Sequence, residues 1–173
     1  MSLTLSANWS DTTLSKPAGL AMLPSTGFYL ISDATRSIIL IAQTSGDVDP
    51  AIVAGNELLS TLQTSSLDGF GTSALFTNPS GLCVTSSSAG AETHVYVSDT
   101  GSNLIRRIAL SETELSAAAK DGDLSKVSIN AQVTTVAGGL RGHLDAVGTL
   151  AQFNHPSGAP FPPRFCLILI LGF

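Results

Sequence analysis

DGFGTSALFTNPSG, residues 68–81, returns at residues 145–158 as DAVGTLAQFNHPSG. In register, the two share Asp, Gly, Thr, Ala, Phe, Pro, Ser and Gly, eight of fourteen positions; unrelated sequence would share about one, so one supersecondary unit is being copied. Pro79 and Pro156 stand 77 residues apart, and a weaker copy of the end of the motif, Lys16-Pro17-Ala18-Gly19-Leu20, lies 62 residues before Pro79. Everything between these anchors reads as repeats of a single plan.

The plan is a set of short strands. In the first unit, Gly19 to Leu23 and Phe28 to Ser32 flank the turn Pro24-Ser25-Thr26-Gly27 as a hairpin. Asp33 to Ser37 turn the chain into Ile38–Ala42, and Ala51–Ala54 is a fourth strand. The second unit keeps the order: Gly81–Val84, His94–Ser98, the turn Asp99 to Asn103, Leu104–Ile108 and Gln132–Ala137. Asp33 and Asp99 stand where an Asp side chain accepts from backbone N–H groups two residues on. Residues 1–15 alternate Leu3, Leu5, Ala7, Trp9 against Thr4, Ser6, Asn8, Ser10, a strand period, and read as an orphan strand of a preceding unit. Between third and fourth strands of the second unit, residues 111–130 are inserted. Glu112 to Lys120 is expected to form a short helix with Ser111 as its cap and Glu114 at the third position, protruding from the outer edge.

Composition agrees. Of 173 residues, 43% are hydrophobic, enough for a folded core, and only 12% are charged, with Ser, Thr, Gly, Val, Ile and Leu abundant. A net charge of −5 offers little to phosphates, so no nucleic-acid partner is expected. Arg106-Arg107 is the one basic pair and reads as a solvated strand face. Two cysteines are too few for a disulfide framework, and Cys83 among apolar neighbours reads as a buried, inert thiol. The first residues carry neither a basic region nor a continuous apolar run, so no signal peptide is read and the location is cytoplasmic by default.

Phe76, Pro79, Ser80 and Gly81, then residues 95–108 (VYVSDTGSNLIRRI), then Val136-Ala137-Gly138-Gly139 and residues 145–158, resemble the NHL repeat. The resemblance covers about residues 16 to 158; it is weaker in the first unit, where Asp33-Ala34-Thr35-Arg36-Ser37 replaces the family's Asp-Thr-Gly-Asn turn. It implies an all-β fold, a partial β-propeller of about two four-stranded blades, whose parents usually carry about six. The expected division is an N-terminal strand at 1–15, a first blade at 16–76, a second at 77–153, and at 154–173 the start of a third repeat with an aberrant tail. A four-stranded unit cannot cover both apolar faces alone, so neighbours must stack on it. The Gly of Pro-Ser-Gly then marks a crowded inner strand with no room for a side chain, and Phe76 and Phe153 plug the gaps between consecutive blades. With two blades, both outer faces are expected to be uncovered, which invites self-assembly.

After Gly158 the pattern stops. Three prolines within Pro160-Phe161-Pro162-Pro163 exclude a ladder strand, and 165–173 is an uncharged, β-forming run too short to span a membrane as a helix. The expectation is a fragment of a longer propeller; the alternative is a tail that zips as a strand onto an open edge or contacts a partner.

No catalytic, cofactor-binding or metal-binding residue is nominated. Asp121-Gly122-Asp123 opens like a calcium loop, but Lys126 stands where Gly is needed and Gln132 where Glu is needed. Asp47-Val48-Asp49 has no better support. His94, His143 and His155 lack metal-ligand spacing, and His155 replaces Asn78 of the other copy as a turn residue would. Gly138 to Gly142 lacks the strand-to-helix setting of a phosphate loop. Three functions stay open: a non-catalytic scaffold for a protein partner or ligand; a fragment of a propeller lyase or hydrolase with a metal on its axis; and an RNA-binding propeller, which the acidity disfavours. Inner strands Leu20–Leu23 and Leu82–Thr85 supply no metal ligand.

Overall fold

The computed structural model describes residues 14–23, 26–45, 50–60, 66–86 and 92–158, with the backbone of 168–169. The strand expected at 1–15, the pair Asp47 and Asp49, and most of the tail lie outside the described residues.

Two antiparallel sheets form the body. In the first, β1 (Pro17–Met22), β2 (Phe28–Asp33), β3 (Ile38–Gln43) and β4 (Ala51–Gly55) lie in chain order. A single helical turn, α1 (Glu57–Ser60), follows, its first N–H groups at Leu58 and Leu59 accepted by Asn56 Oδ1. The second sheet runs β5 (Gly69–Phe70), β9 (Gln132–Gly138), β8 (Leu104–Ser111), β7 (Glu92–Asp99), β6 (Pro79–Ser86). The all-β, antiparallel expectation therefore holds, while among the described residues the sheets do not close into a ring.

β2 and β3 are continuous apolar runs because both of their faces are buried. Phe28 and Leu30 of β2, with Ile39 and Ile41 of β3, join Val95 and Val97 of β7 and Ile108 and Leu110 of β8 in one core between the sheets. Tyr29, Ile31, Ile38 and Leu40 point the other way into a second buried cluster, with Leu14 and Ile52 packed on it. The expectation that both outer faces stand uncovered is thus corrected for the first sheet.

The repeat extends to backbone detail. Both sheets carry a bulge where the third strand meets the fourth, between Ile39 and Leu40 and between Ile105 and Arg106. Both shift register where the first strand leaves its proline, between Pro17 and Gly19 and between Pro79 and Leu82. Left-handed residues recur in step: Ser37 with Asn103, each just before a third strand, and Asn78 with His155, each just before the motif proline. The swap of Asn78 for His155 is indeed one of turn residues, at φ 57° and 51°.

The insertion corrects another expectation. It forms two helices, α2 (Glu112–Asp121) and α3 (Ser125–Asn130), and they do not protrude. Leu115, Ala118, Leu124 and Val127 are buried in the core between the sheets. Ser111 does hold the cap position of α2, but its hydroxyl lies 2.7 Å from that of Thr113, and Glu114 accepts from Asn130 Nδ2 at 2.5 Å, so no capping box forms.

Short strand pairs follow β9. β10 (Leu140–Arg141) pairs in parallel with β11 (Gln152–Phe153), and β12 (Ser157–Gly158) pairs with β13 (Ile168–Leu169), so part of the tail returns as a strand. The bridges Leu67–Leu75 and Leu144–Gln152 close the same loop 77 residues apart, each around a 3-10 turn, Gly71–Ser73 and Gly148–Leu150.

Candidate functional site

One end of each sheet is built from the motif. The buried carboxylate of Asp33 accepts from the N–H groups of Ser15 (2.6 Å), Lys16 (3.2 Å) and Arg36 (3.1 Å). Asp99, equally buried, accepts from the N–H of Thr77 (2.7 Å) and from the Ser66 hydroxyl. Ser15 and Thr77 stand two residues before Pro17 and Pro79, so each Asp fastens the chain just ahead of a first strand. The expected bond to an N–H two residues on is corrected: the turn contact of Asp33 is three residues on, and the larger role is this long-range fastening.

The motif glycine is dictated by close approach. A Cβ on Gly81 would lie inside the van der Waals shell of the Gly158 backbone, and one on Gly19 would meet the Ser80 carbonyl. The first strands of successive units therefore lie against one another. At the far edge, Phe76 packs on Gly55 and Phe153 on Gly138; these glycines, at φ 95° and 92°, leave room for the rings and adopt a backbone that L-residues rarely take.

Arg106 is the hub of this end, and it overturns the reading of Arg106-Arg107 as a solvated face. Its side chain is 0% exposed. Nη1 donates to the Leu75 carbonyl (3.0 Å) and Asp99 Oδ2 (3.2 Å), and Nη2 to the Leu67 carbonyl (2.8 Å) and Asp68 Oδ1 (2.8 Å). The guanidinium lies 5.1 Å from the centre of the Phe76 ring, a cation–π distance. Asp68 in turn takes the N–H (3.0 Å) and hydroxyl (2.8 Å) of Thr135. One cation thus ties β8 to the strap formed by residues 66–76 and to the turn after β7. Burial pushes the Asp99 carboxyl up to about 6 against the pull of Ser66, Thr77 and Arg106. For Asp68, desolvation is outweighed by the bonds from Thr135 and Arg106, which hold it below its ordinary range. The missed signal was period two: Arg106 alternates in step with Leu104, Ile108 and Leu110, the side of β8 that faces the core.

The opposite end differs between the units. There the second sheet is followed by α2 and α3, and the exposed side of α2 presents a shallow, open surface lined by Glu112, Thr113, Ser116, Ala117, Lys120 and Asp121. Asp123 accepts from the N–H (3.0 Å) and hydroxyl (2.5 Å) of Ser125, which lower its pKa and start α3. His94 lies 3.1 Å from Glu92, His155 Nδ1 lies 2.9 Å from Asn154 Oδ1, and His143 is exposed, so the histidines are not brought together. Among the described residues no three His, Cys, Asp or Glu side chains converge to hold a metal, and no helix is long and apolar enough to cross a membrane. Cys83 is half-buried and disulfide-bonded, which corrects its reading as a buried inert thiol.

No family model matches the chain, and no curated protein matches it. Among solved structures, its fold is similar to that of an auxiliary nutrient binding protein from Bacteroides thetaiotaomicron VPI-5482, with a TM-score of 0.57 and 24% identity over 80% of this chain and 30% of that one. An auxiliary nutrient binding protein from Bacteroides ovatus ATCC 8483 is similar to the same extent, at a TM-score of 0.57, 22% identity, and coverage of 80% and 30%. This chain spans less than a third of either protein.

Proposed function

We propose that the chain comprises two blades and the opening of a third of an NHL-type β-propeller, and that it serves as a non-catalytic scaffold that binds a small ligand or a protein segment. The observation that carries this reading is the contrast between the two ends of the sheets. At the motif end the units agree in carboxylate, turn, bulge and glycine, as a fold-holding end must. At the other end they diverge, and the second unit places α2 and α3 there, as repeat proteins place insertions on their binding face. The shallow surface along α2 presents carboxylates, hydroxyls and one ammonium group, polar groups that a polar ligand or peptide could meet. The similar proteins are named for nutrient binding, which agrees with a binding role.

The test is a thermal-shift screen of the chain against monosaccharides, amino acids and short peptides. A ligand raises the melting temperature through its preference for the folded state. The expected result is a stabilising ligand whose effect disappears in Ser116→Trp, which covers that surface, with the far-ultraviolet circular dichroism unchanged. A panel without a stabilising member, or one whose stabilisation survives Ser116→Trp, refutes the reading.

A further inference from the structure

Asp68 and Asp145 are the same residue of the repeat, and only Asp68 is seated. Three donors of the second sheet hold it: the N–H and hydroxyl of Thr135 on β9 and Nη2 of Arg106 on β8. Asp145 is exposed and, among the described residues, has no hydrogen bond or ion pair. Its strap is otherwise folded as the first one is, with the same bridge, the same 3-10 turn and a left-handed glycine at the same place, Gly71 and Gly148.

The surroundings lack the same neighbour. Val53 is fully buried, whereas its counterpart Val136 is 39% exposed; Phe76 is buried, whereas Phe153 is half-buried. Ser32 Oγ donates to the carbonyl of Ser80 in the next motif, while the buried hydroxyl of its counterpart Ser98 has no partner.

We infer that this face, from Val136 and Ser98 to the strap around Asp145, docks a four-stranded antiparallel sheet of the same repeat that carries an arginine at the place of Arg106 and a threonine at the place of Thr135. The cation is specified by the carboxylate. Asp68, half-exposed beside its own sheet, takes one bond from Arg106 and two from Thr135, and a sheet seated on Asp145 in the same way must offer the same three donors. A second copy of the first sheet does not fit, because Leu40 occupies the arginine's place there.

This inference rests on the repeat reading above, and its test separates the two. A second copy of residues 82–158 is spliced into the full chain directly after Gly158, which offers Asp145 a sheet with the required arginine and threonine. Asp145→Asn is expected to leave the melting temperature of the original chain unchanged and to lower that of the spliced chain by about 2–4 °C, the shift that Asp68→Asn produces in the original. A spliced chain that folds with added β-signal while Asp145→Asn stays silent overturns the docking assignment and leaves the repeat reading standing. Should the splice not fold, the first part of the strap, residues 68–74, is exchanged within the original chain by Gly69→Ala, Phe70→Val and Ser73→Leu, which writes residues 145–151 in its place. Retained folding and a retained shift on Asp68→Asn support the assignment; loss of either overturns it.

Discussion

Arg106 shows how one residue fixes the joint between a strap and a sheet. Its guanidinium is fully buried, and its partners are the buried Asp99 carboxylate, the half-exposed Asp68 carboxylate and two backbone carbonyls. Removing one member of a buried pair leaves the other charge uncompensated, which costs about 3–5 kcal/mol. Arg106→Met is therefore expected to lower the unfolding free energy by about that amount in urea titration, although Met fills much of the volume; an unchanged midpoint would mean that the ion pair carries none of the joint. Asp99 adds a pH dependence with a definite sign. Its folded-state pKa, about 6, lies above the ordinary 3.8, so the folded state binds the proton more tightly. That contribution is fully present below 3.8 and is lost as pH rises through 6. Stability measured from pH 4 to pH 7 should fall with a steeper slope in the parent than in Asp99→Asn. Asp68 acts in the opposite sense: its lowered pKa stabilises above the ordinary value, and that gain is lost as the pH falls through its folded pKa.

At the scale of elements, the insertion of residues 111–130 decides how the sheets are closed. Its sequence announces a helix through Ser111 and the acidic first turn, but the direction in which the helix packs depends on what it meets. Leu115, Ala118, Leu124 and Val127 fall on the sides of α2 and α3 that face the sheets, and there they complete the core that β4 and β8 leave open. Leu115→Ala should cost about 2–5 kcal/mol, read by chemical unfolding, as for any interior leucine; a loss under 1 kcal/mol would return the helix to the protruding position expected from sequence. The strap is the other telling element. Its β5 strand is hydrogen-bonded to β9, and its Asp68 to β8 and β9, so the segment that leaves the first sheet is held by the second.

For the whole molecule, the consequence is a single cooperative unit. Both sheets, the strap and both insertion helices contribute to one apolar cluster, which includes Phe76. Far- and near-ultraviolet circular dichroism should report one coincident thermal transition, and Phe76→Ala should lower its midpoint without splitting it. Two separate transitions would mean that the sheets are stable independently, contrary to a core shared between them.

The repeat, the order of its strands and the places of its turns were legible in the sequence, because they rest on local chemistry: alternation, proline and glycine positions, and Asp or Asn where the chain must turn. The crowding at Gly81 was legible too, since only a glycine recurs there in all three copies of the motif. Other features belonged to the tertiary structure alone. Period two placed Arg106 on the core side, but only the assembled sheets show two carboxylates and two carbonyls waiting for it. The inward packing of α2 and α3, the long reach of Asp33 and Asp99 to the segments before their first strands, and the disulfide state of Cys83 likewise depend on partners tens of residues away. Local sequence sets the conformation of a segment; which groups share a desolvated space is decided when the segments meet, because the cost of burying a charge or an apolar face depends on what lies opposite it.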